Sequence, residues 1–266
     1  MAANRPKSWR VADVVASDFM LRCWTKVFFF GCLGMVDWLE NILVPINREG
    51  YRFIAIGLVL TLILFYVWDP LGWLILLLTL ACAFFFRDPD RVTPIREKLI
   101  IAPADGMVAQ VAPALPPEEL DMGDDPLLRI AIYISLKDVH VQRMPASGTV
   151  TRVVHRAGAF VASHPQTLDN EDNERESVQL TTASGKAIAV VQIAGRFARR
   201  IVCYATEGQD VRAGERYGLI RFGSRVDVYL AAGMRPQVIV GQRTIAGETV
   251  LVDERSREAH RKGEVR

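Results

Sequence analysis

Apolar residues are spread unevenly along the 266-residue chain. One long apolar stretch covers residues 53–86, and its only helix-breaking pair is Asp69-Pro70. The 16 residues on each side of this pair would make a helix that is apolar on every face, which is typical of helices surrounded by protein or by lipid. The pattern therefore predicts a hairpin of two apolar helices.

The hairpin is a candidate membrane anchor. Sixteen residues form about 24 Å of helix, which is less than the roughly 30 Å of a bilayer's hydrocarbon core. Insertion into one leaflet and two short spans both stay open, and a buried soluble hairpin is the alternative. Arg48 and Arg52 precede the hairpin while Arg87 and Arg91 follow it, so both ends are expected on the cytoplasmic side. We expect no secretory signal peptide.

The preceding segment, residues 1–52, mixes aromatic and basic residues. This mixture is typical of amphipathic helices that lie at the lipid headgroups, and a surface helix of a soluble domain is the alternative. The residues concerned include Trp9, Phe19, Trp24, Trp38, Arg10, Arg22 and Lys26.

From residue 99 the apolar period changes to two, with frequent Gly and Pro, which predicts a β-rich domain over residues 87–252. The fold class expected is mainly β, preceded by membrane-associated helices, and residues 253–266 form a polar tail. Strands are predicted at 99–102, 107–111, 129–135, 148–154, 177–181, 187–194, 200–205, 217–222, 226–230, 237–240 and 249–252.

An internal repeat refines the fold class. Residues 208–215 match residues 241–248 at five of eight positions. Each copy is similar to the glycine-pinned hairpin of biotinyl and lipoyl carrier domains, and residues 102–108 resemble the opening turn of such domains. We therefore expect a barrel-sandwich-like β architecture. A membrane-anchored carrier domain is one functional alternative, although neither hairpin tip contains the lysine that a carrier needs.

Composition narrows the choice of partners. The net charge is only +2 and the basic residues are mixed with acidic ones, so nucleic acid is not an expected partner. The four cysteines have no C-x-x-C spacing and no histidine nearby at ligand spacing, so we predict free thiols and no structural metal. These cysteines are Cys23, Cys32, Cys82 and Cys203.

The dipeptide Gly223-Ser224 is the main candidate for chemistry. Glycine leaves its carbonyl unshielded and tolerates strained backbone angles. Attack by the serine hydroxyl would convert the amide to an ester, and elimination would leave an N-terminal pyruvoyl group, an electron sink suited to decarboxylation. The same dipeptide commonly marks a turn or a strand end, so the residues alone leave both interpretations open.

Six segments in order make the chain resemble phosphatidylserine decarboxylases of the short bacterial and archaeal form, over residues 84–252. They are Phe86-Arg87-Asp88-Pro89, Ala102-Pro103-Ala104-Asp105-Gly106, Asp138-Val139-His140-Val141, Asn173-Glu174-Arg175, Gln192-Ile193-Ala194-Gly195 followed by Ala198-Arg199-Arg200-Ile201, and Arg221-Phe222-Gly223-Ser224-Arg225.

The resemblance implies a proenzyme that cuts itself between Gly223 and Ser224 and turns Ser224 into a covalent pyruvate cofactor. The two chains, 1–223 and 224–266, would stay associated at the cytoplasmic face of the cell membrane. There the pyruvoyl group would form a Schiff base with phosphatidylserine from the membrane lipid and convert it to phosphatidylethanolamine.

The resemblance also suggests roles for side chains. His140 lies in the family's histidine-bearing segment and is the expected base for Ser224 and proton donor during decarboxylation. Asp105 is expected to orient that histidine, although Asp-Gly is also a standard turn pair. A Ser/His/Asp hydrolase is a second alternative, but Ser224 lacks the G-x-S-x-G context and precedes a predicted strand.

One departure from the family's long form leaves the cleavage base open. That form has D-x-H-x-x-H, and its second histidine serves self-cleavage, whereas this chain has Arg143 there. Either His140 serves both steps, or strain and another group drive cleavage. His155 and His164 are the possible substitutes, with His260 set aside in the tail. The candidates to hold the lipid phosphate or steer the carboxylate are Arg143, Arg199 and Arg200.

Overall fold

The computed structural model divides the chain into two units, Met1–Val44 and Pro45–Arg266. It describes residues 44–160, 172–195, 200–221, 224–258 and 261, with the backbone alone for Ser224. The predicted amphipathic helices therefore lie outside the described residues as far as residue 43, as does half of the tail.

The predicted helical hairpin is present. Helix α1 spans Tyr51–Val67 and helix α2 spans Asp69–Phe85. The interruption is Trp68 alone, which is extended with φ −164° and ψ 110°, and Asp69-Pro70 begins α2 instead of separating the helices. Proline is tolerated there because a first-turn N–H has no partner within the helix. In the described part of the chain, neither helix has both the length and the apolarity needed to cross a membrane.

The remainder of the described chain is β-rich, as predicted, and every strand pairing within its sheets is antiparallel. The strands are β1 Leu99–Ile101, β2 Gly106–Ala114, β3 Leu127–Ile134, β4 Val141–Arg143, β5 Gly148–Arg156, β6 Arg175–Thr182, β7 Ala187–Ala194, β8 Ile201–Cys203, β9 Asp210–Val211, β10 Arg216–Ile220, β11 Ser224–Leu230, β12 Arg243–Thr244 and β13 Val250–Asp253.

Three sheets assemble from these strands. The largest has eight strands in the order β12-β2-β3-β11-β7-β6-β5-β9, a second has the order β4-β10-β8, and β1 pairs with β13. One face of the large sheet forms the main core, because every second residue of its central strands is apolar and buried. The core residues of these strands include Ile130, Ile132, Val178, Leu180, Ile188, Val190, Val226 and Val228.

The other face of the large sheet is covered by the connection between β2 and β3. This connection contains a short 3-10 helix, Glu118–Leu120. Leu120 packs there against Val191 and Tyr229 of the central strands, and all three are buried. Both faces of the central strands are therefore shielded from water.

The internal repeat forms two equivalent loops, 208–215 and 241–248. Gly208, Gly214, Gly241 and Gly247 have φ of 81°, 82°, 88° and 79°, a left-handed conformation that glycine adopts without strain. Each loop donates two equivalent backbone hydrogen bonds to an earlier segment. These four bonds, each 2.8 Å long, run from Gly208 to Val150, Gly241 to Val108, Gly214 to Met144 and Gly247 to Ala102.

These bonds reveal a second repeat, which the sequence analysis missed. Residues 102–108 and 144–150 occupy equivalent positions and share Pro, Ala, Gly and Val at four of seven positions. Within them Asp105 is equivalent to Ser147. Asp105 Oδ1 accepts a 2.7 Å bond from the Ala246 N–H, and Ser147 Oγ accepts a 3.0 Å bond from the Ala213 N–H. The β domain is therefore built from two similar halves.

The strand prediction at 237–240 was wrong. In this region only Pro236 makes an isolated bridge, to Val252. Proline has no N–H to continue a ladder, and the chain then turns into the 241–248 loop, where Gln242 N–H bonds to the Ile239 carbonyl. Strands β4, β9 and β12 were missed, and the two residues of β9 and of β12 are too few to show a period.

Candidate active site

Ser224 is the first residue of β11. Its backbone lies in register between Ala194 of β7 and Ile134 of β3. Strand β10 ends at Ile220, so residues 221–223, here called the cleavage link, join the three-stranded sheet to the eight-stranded sheet. Gly223 lies outside the described residues. The predicted cleavage point thus falls where the chain passes from one sheet to the other.

His140 ends a second passage between the same two sheets. Strand β3 ends at Ile134 and β4 begins at Val141, so residues 135–140, here called the histidine link, connect them. The two links are paired at their ends, because Ile134 pairs with Ser224 at one end and the Ile220 N–H bonds to the His140 carbonyl, at 3.4 Å, near the other. The two links form one crossing between the sheets, with His140 at its Ile220 end and Ser224 at its Ile134 end.

The surroundings of His140 keep its imidazole neutral. The side chain is buried, and its ring lies 4.0 Å from the ring of Phe85, measured between centroids. Burial lowers the pKa of His140 to about 4, Arg87 adds to this effect, and Asp138 opposes it. Neither ring nitrogen has a hydrogen-bond partner among the described residues. An uncharged imidazole keeps one nitrogen lone pair, with which it can take a proton from a neighbouring group during a reaction.

Asp138 shapes the histidine link, a role that its motif alone did not indicate. Its Oδ2 accepts a 2.9 Å bond from the Ser135 N–H, and its own N–H bonds to the Ser135 carbonyl. Its Oδ1 accepts a hydrogen bond from Arg243 of β12. The turn that delivers His140 is therefore closed by Asp138 and tied to the large sheet.

Asp105 makes different contacts from those of a triad aspartate. Its Oδ2 pairs with Arg91 at 2.7 Å and its Oδ1 accepts from Ala246. Burial raises the pKa of Asp105, while Ala246 and Arg91 act in the opposite direction. Among the described residues no hydrogen bond joins Asp105 to His140. The hydrogen bond that it accepts from Ala246 holds the 241–248 loop in place.

Arg143, at the position of the long form's second histidine, is buried in a structural site. Its guanidinium binds the Gly214 and Pro89 carbonyls at 3.0 and 2.9 Å, and it pairs with Asp88 at 3.4 Å. These contacts tie the segment after α2 to the 208–215 loop. They leave Arg143 committed to protein partners.

The other histidine and arginine candidates lie at separate positions in the structure or outside the described residues. His155 is half-exposed on β5, with Nδ1 2.9 Å from Glu176 Oε2, so it is not brought to the crossing. Arg200 is exposed. It lies beside the cleavage link, since its carbonyl accepts a hydrogen bond from the Arg221 N–H at 3.2 Å. His164, Arg199 and His260 lie outside the described residues.

Two buried pairs of polar residues near the crossing were not predicted from the sequence. Gln192 of β7 and Gln142 of β4 are hydrogen-bonded to each other at 2.9 Å. Directly after Ser224, Arg225 Nε lies 2.9 Å from Asp227 Oδ1, and both side chains are almost fully buried. Gln192 and Arg225 lie in two of the six family segments, but their partners Gln142 and Asp227 do not, so only the tertiary structure identifies the two pairs.

The base of the helical hairpin forms one wall of the site. Phe85 and Phe86, at the end of α2, pack with Leu219 of β10, and Phe85 also contacts the His140 ring. The apolar helices therefore lead directly to the crossing between the sheets.

The context of Ser224 argues against the two alternatives. The serine enters strand β11 and not a helix, so the strand-to-helix elbow of a hydrolase is missing at this position. The loops 208–215 and 241–248 adopt carrier-like turns, yet neither contains a lysine.

Comparisons with known proteins identify the family of the chain. Residues 78–252 match the sequence model of the family described as phosphatidylserine decarboxylase. A protein of Cereibacter sphaeroides is 50% identical over 233 residues, covering 87% of this chain and 99% of its own length. One of Paramagnetospirillum magneticum is 54% identical over 224 residues, covering 84% and 92%.

Both relatives are named phosphatidylserine decarboxylase proenzyme, and so belong to the class of decarboxylases made as precursors. The present chain belongs to the phosphatidylserine decarboxylase family. The resemblance that the motifs predicted over residues 84–252 is confirmed.

Proposed function

We propose that the chain is a proenzyme that cuts itself between Gly223 and Ser224 and then decarboxylates phosphatidylserine to phosphatidylethanolamine. The activity is the one in the names of its relatives. The observation that supports the site is the pairing of the two links at their ends, with a buried, neutral His140 beside Ile220 and the start of β11 beside Ile134.

Maturation uses only groups of the chain itself. The Ser224 hydroxyl attacks the Gly223 carbonyl carbon while His140 takes the hydroxyl proton, and the amide becomes an ester with a free Ser224 amine. Loss of the Ser224 α-proton then breaks the ester C–O bond. Gly223 leaves as a carboxylate, and Ser224 becomes a dehydroalanine. Water converts this residue to a pyruvoyl group and releases ammonia.

The residues around Ser224 suit such a group. When formed, the pyruvoyl group supplies a ketone for the substrate amine and an electron sink for the loss of carbon dioxide. Because the group arises from Ser224 itself, the rest of the chain has to supply a surface that excludes water and a side chain that delivers a proton. Phe85 excludes water from the His140 ring, and we assign to His140 the proton delivered to the former α-carbon of the substrate.

The hairpin is the proposed anchor that brings the site to its lipid substrate. Apolar side chains are exposed along both helices, for example Leu62 at 72% and Leu77 at 65%. Such a surface is stabilised by burial in lipid. Seventeen residues make about 26 Å of helix, enough to enter the cytoplasmic leaflet with the base at the headgroups. Arg87 lies over the Phe84 ring at that base.

The test is the intact mass of the purified protein beside that of Ser224→Ala. We expect the wild type as two chains, 1–223 and 224–266, the smaller blocked at its N-terminus by a pyruvoyl group, and the variant as one chain. The wild type should release carbon dioxide from phosphatidylserine vesicles, and the variant should not. An active wild type that stays uncut would overturn the proposal.

A further inference from the structure

The two buried glutamines near the crossing form a bridge between sheets. Gln142 belongs to β4 of the three-stranded sheet and Gln192 to β7 of the eight-stranded sheet. Gln192 Nε2 donates to Gln142 Oε1 at 2.9 Å, and both residues are 0% exposed. We call this pair the glutamine bridge.

Each glutamine of the bridge lies on a strand that pairs with one end of the cleavage link's connection. On one side Gln142 pairs with Gly218 of β10 in the backbone ladder. On the other side β7 pairs with β11, where Ala194, two residues after Gln192, lies opposite Ser224. The cleavage link joins β10 to β11. The link and the bridge therefore both connect the three-stranded sheet to the eight-stranded sheet.

Gly218 allows the bridge to lie directly against β10. A Cβ atom added at Gly218 would lie 2.9 Å from Gln192 Nε2 and 2.4 Å from the Val202 carbonyl oxygen. The Gln192 amide thus occupies the space that a side chain on β10 would need. This close contact fixes the middle of β10 relative to β7, and hence relative to the backbone of Ser224.

Core packing alone does not explain the bridge. Among the described residues, Gln142 Nε2 and Gln192 Oε1 have no hydrogen-bond partner. Two leucines of similar size would fill the space without burying an unpaired donor and acceptor. What an apolar pair would lack is a direct bond of fixed length between the two sheets.

We propose that the glutamine bridge positions the cleavage link for self-cleavage. By holding β4 and β7 at a set separation, the bridge fixes the relative positions of β10 and β11, the two strands that the cleavage link joins. Gln142 and Gln192 are positioning residues and not catalytic ones. This inference rests on the proposed self-cleavage.

The experiment follows self-cleavage by intact mass after cell-free synthesis of the full chain. The variants are Gln142→Leu and Gln192→Leu, and each is also made with Ser224→Ala to measure thermal unfolding of the uncut chain. We expect both leucine variants to cleave about tenfold more slowly or worse. Each leaves the other glutamine buried without its partner and loses stability, so a third variant with both leucines, made in the same way, is the decisive one: it should cleave as slowly while its unfolding midpoint stays the same or rises. A merely structural bridge would lower both the rate and the midpoint of that variant.

Ile188→Ala is the matched control. Ile188 lies on the same strand and core face as Gln192, is fully buried, and is four residues further from the level of Ser224. We expect this variant to lose stability but to cleave at the wild-type rate. Leucine variants that cleave like the wild type, or that slow only as far as Ile188→Ala does for the same loss of stability, would overturn the inference.

Gln142→Glu keeps the test decisive if the leucine variants fail to fold. It retains an oxygen that can accept from Gln192 Nε2, so we expect it to cleave far faster than Gln142→Leu. Cleavage no better than that of a polar variant that cannot reach, Gln142→Ser, would contradict the bridge. A wild-type chain that never cleaves would instead overturn the proposed function.

Discussion

At the scale of single residues, His140 shows how burial prepares a group for chemistry. Its ring is packed against Phe85 and has lost its water, so the charged form is disfavoured and the pKa falls from 6.5 to about 4. The same burial that leaves His140 neutral near pH 7 also makes the folded protein sensitive to acid.

We predict that His140 contributes to loss of stability in acid. The unfolded chain binds a proton at His140 near pH 6.5, whereas the folded chain does so only near pH 4, so stability falls as the pH falls between these values. The full difference is about 3 kcal/mol. Urea unfolding of detergent-solubilised Ser224→Ala protein at pH 7 and pH 4 measures the loss.

The comparison for this prediction is the double variant Ser224→Ala with His140→Leu. Leucine cannot take up a proton, so the double variant should lose about 3 kcal/mol less than Ser224→Ala does between the two pH values. An equal loss in both proteins would show that His140 is not the group that titrates.

Sequence and structure differ in what they disclose about the site's residues. Ser224 and His140 could be found because each lies in a recognisable segment. The loop contact of Asp105 and the bonds of Gln142 and Gln192 could not, because each joins positions far apart in the chain. Arg143 was an open question in the sequence, and its contacts with Asp88 and Gly214 show where it is engaged.

At the scale of elements, long periodic segments were predicted well and short ones were not. Helices α1 and α2 and the central strands have enough residues to display a period. The missed strands β9 and β12 have two residues each and are set by the repeated loops beside them. Those loops indicate the positions of β9 and β12 better than strand propensity does, because the loop glycines have backbone angles that other residues resist.

The 208–215 loop offers a prediction that separates backbone strain from crowding. Gly208 and Gly214 share a φ of 81° and 82°, but a Cβ at Gly208 would meet nothing within 4 Å, whereas one at Gly214 would lie 2.1 Å from Thr93 Oγ1. We expect Gly208→Ala to cost about 1 kcal/mol of unfolding free energy from its backbone angle alone. Gly214→Ala should cost about 3 kcal/mol or more, because Thr93 must also move.

Urea unfolding of both variants, each with Ser224→Ala so that the chain stays uncut, measures the difference. The pair is matched because both residues lie in one loop and change in the same way. Equal costs would mean that Thr93 yields freely and that crowding contributes nothing at Gly214.

At the scale of the whole molecule, the hairpin and the site form one continuous structure. The end of α2 supplies Phe85 to the His140 ring and Phe86 to the cluster around Leu219. The described chain from Pro45 onward is a single unit, so a hairpin in lipid would hold the crossing between sheets at the membrane surface. Self-cleavage, by contrast, involves only the protein and should need no membrane.

Charged residues on the hairpin should therefore weaken membrane binding and leave self-cleavage unchanged. In Leu62→Lys with Leu77→Lys, two exposed apolar residues of the hairpin become charged. Placing each lysine in hydrocarbon costs about 3 kcal/mol, so membrane binding through the hairpin should weaken by a factor of about 1,000 or more. Flotation with phosphatidylserine vesicles and turnover of those vesicles should fall together. Turnover of a short-chain, water-soluble phosphatidylserine should persist, and intact mass should show normal cleavage.

Ile95→Lys is the control, because Ile95 is equally apolar and fully exposed but lies outside the hairpin. It should float and react as the wild type does. A double-lysine variant that floats normally would remove the hairpin as the anchor. One that cleaves poorly would show instead that the helices help to shape the site, since α2 reaches His140 through Phe85. Anchoring and chemistry can therefore be separated in one protein, because the first depends on the exposed length of the helices and the second on their buried base.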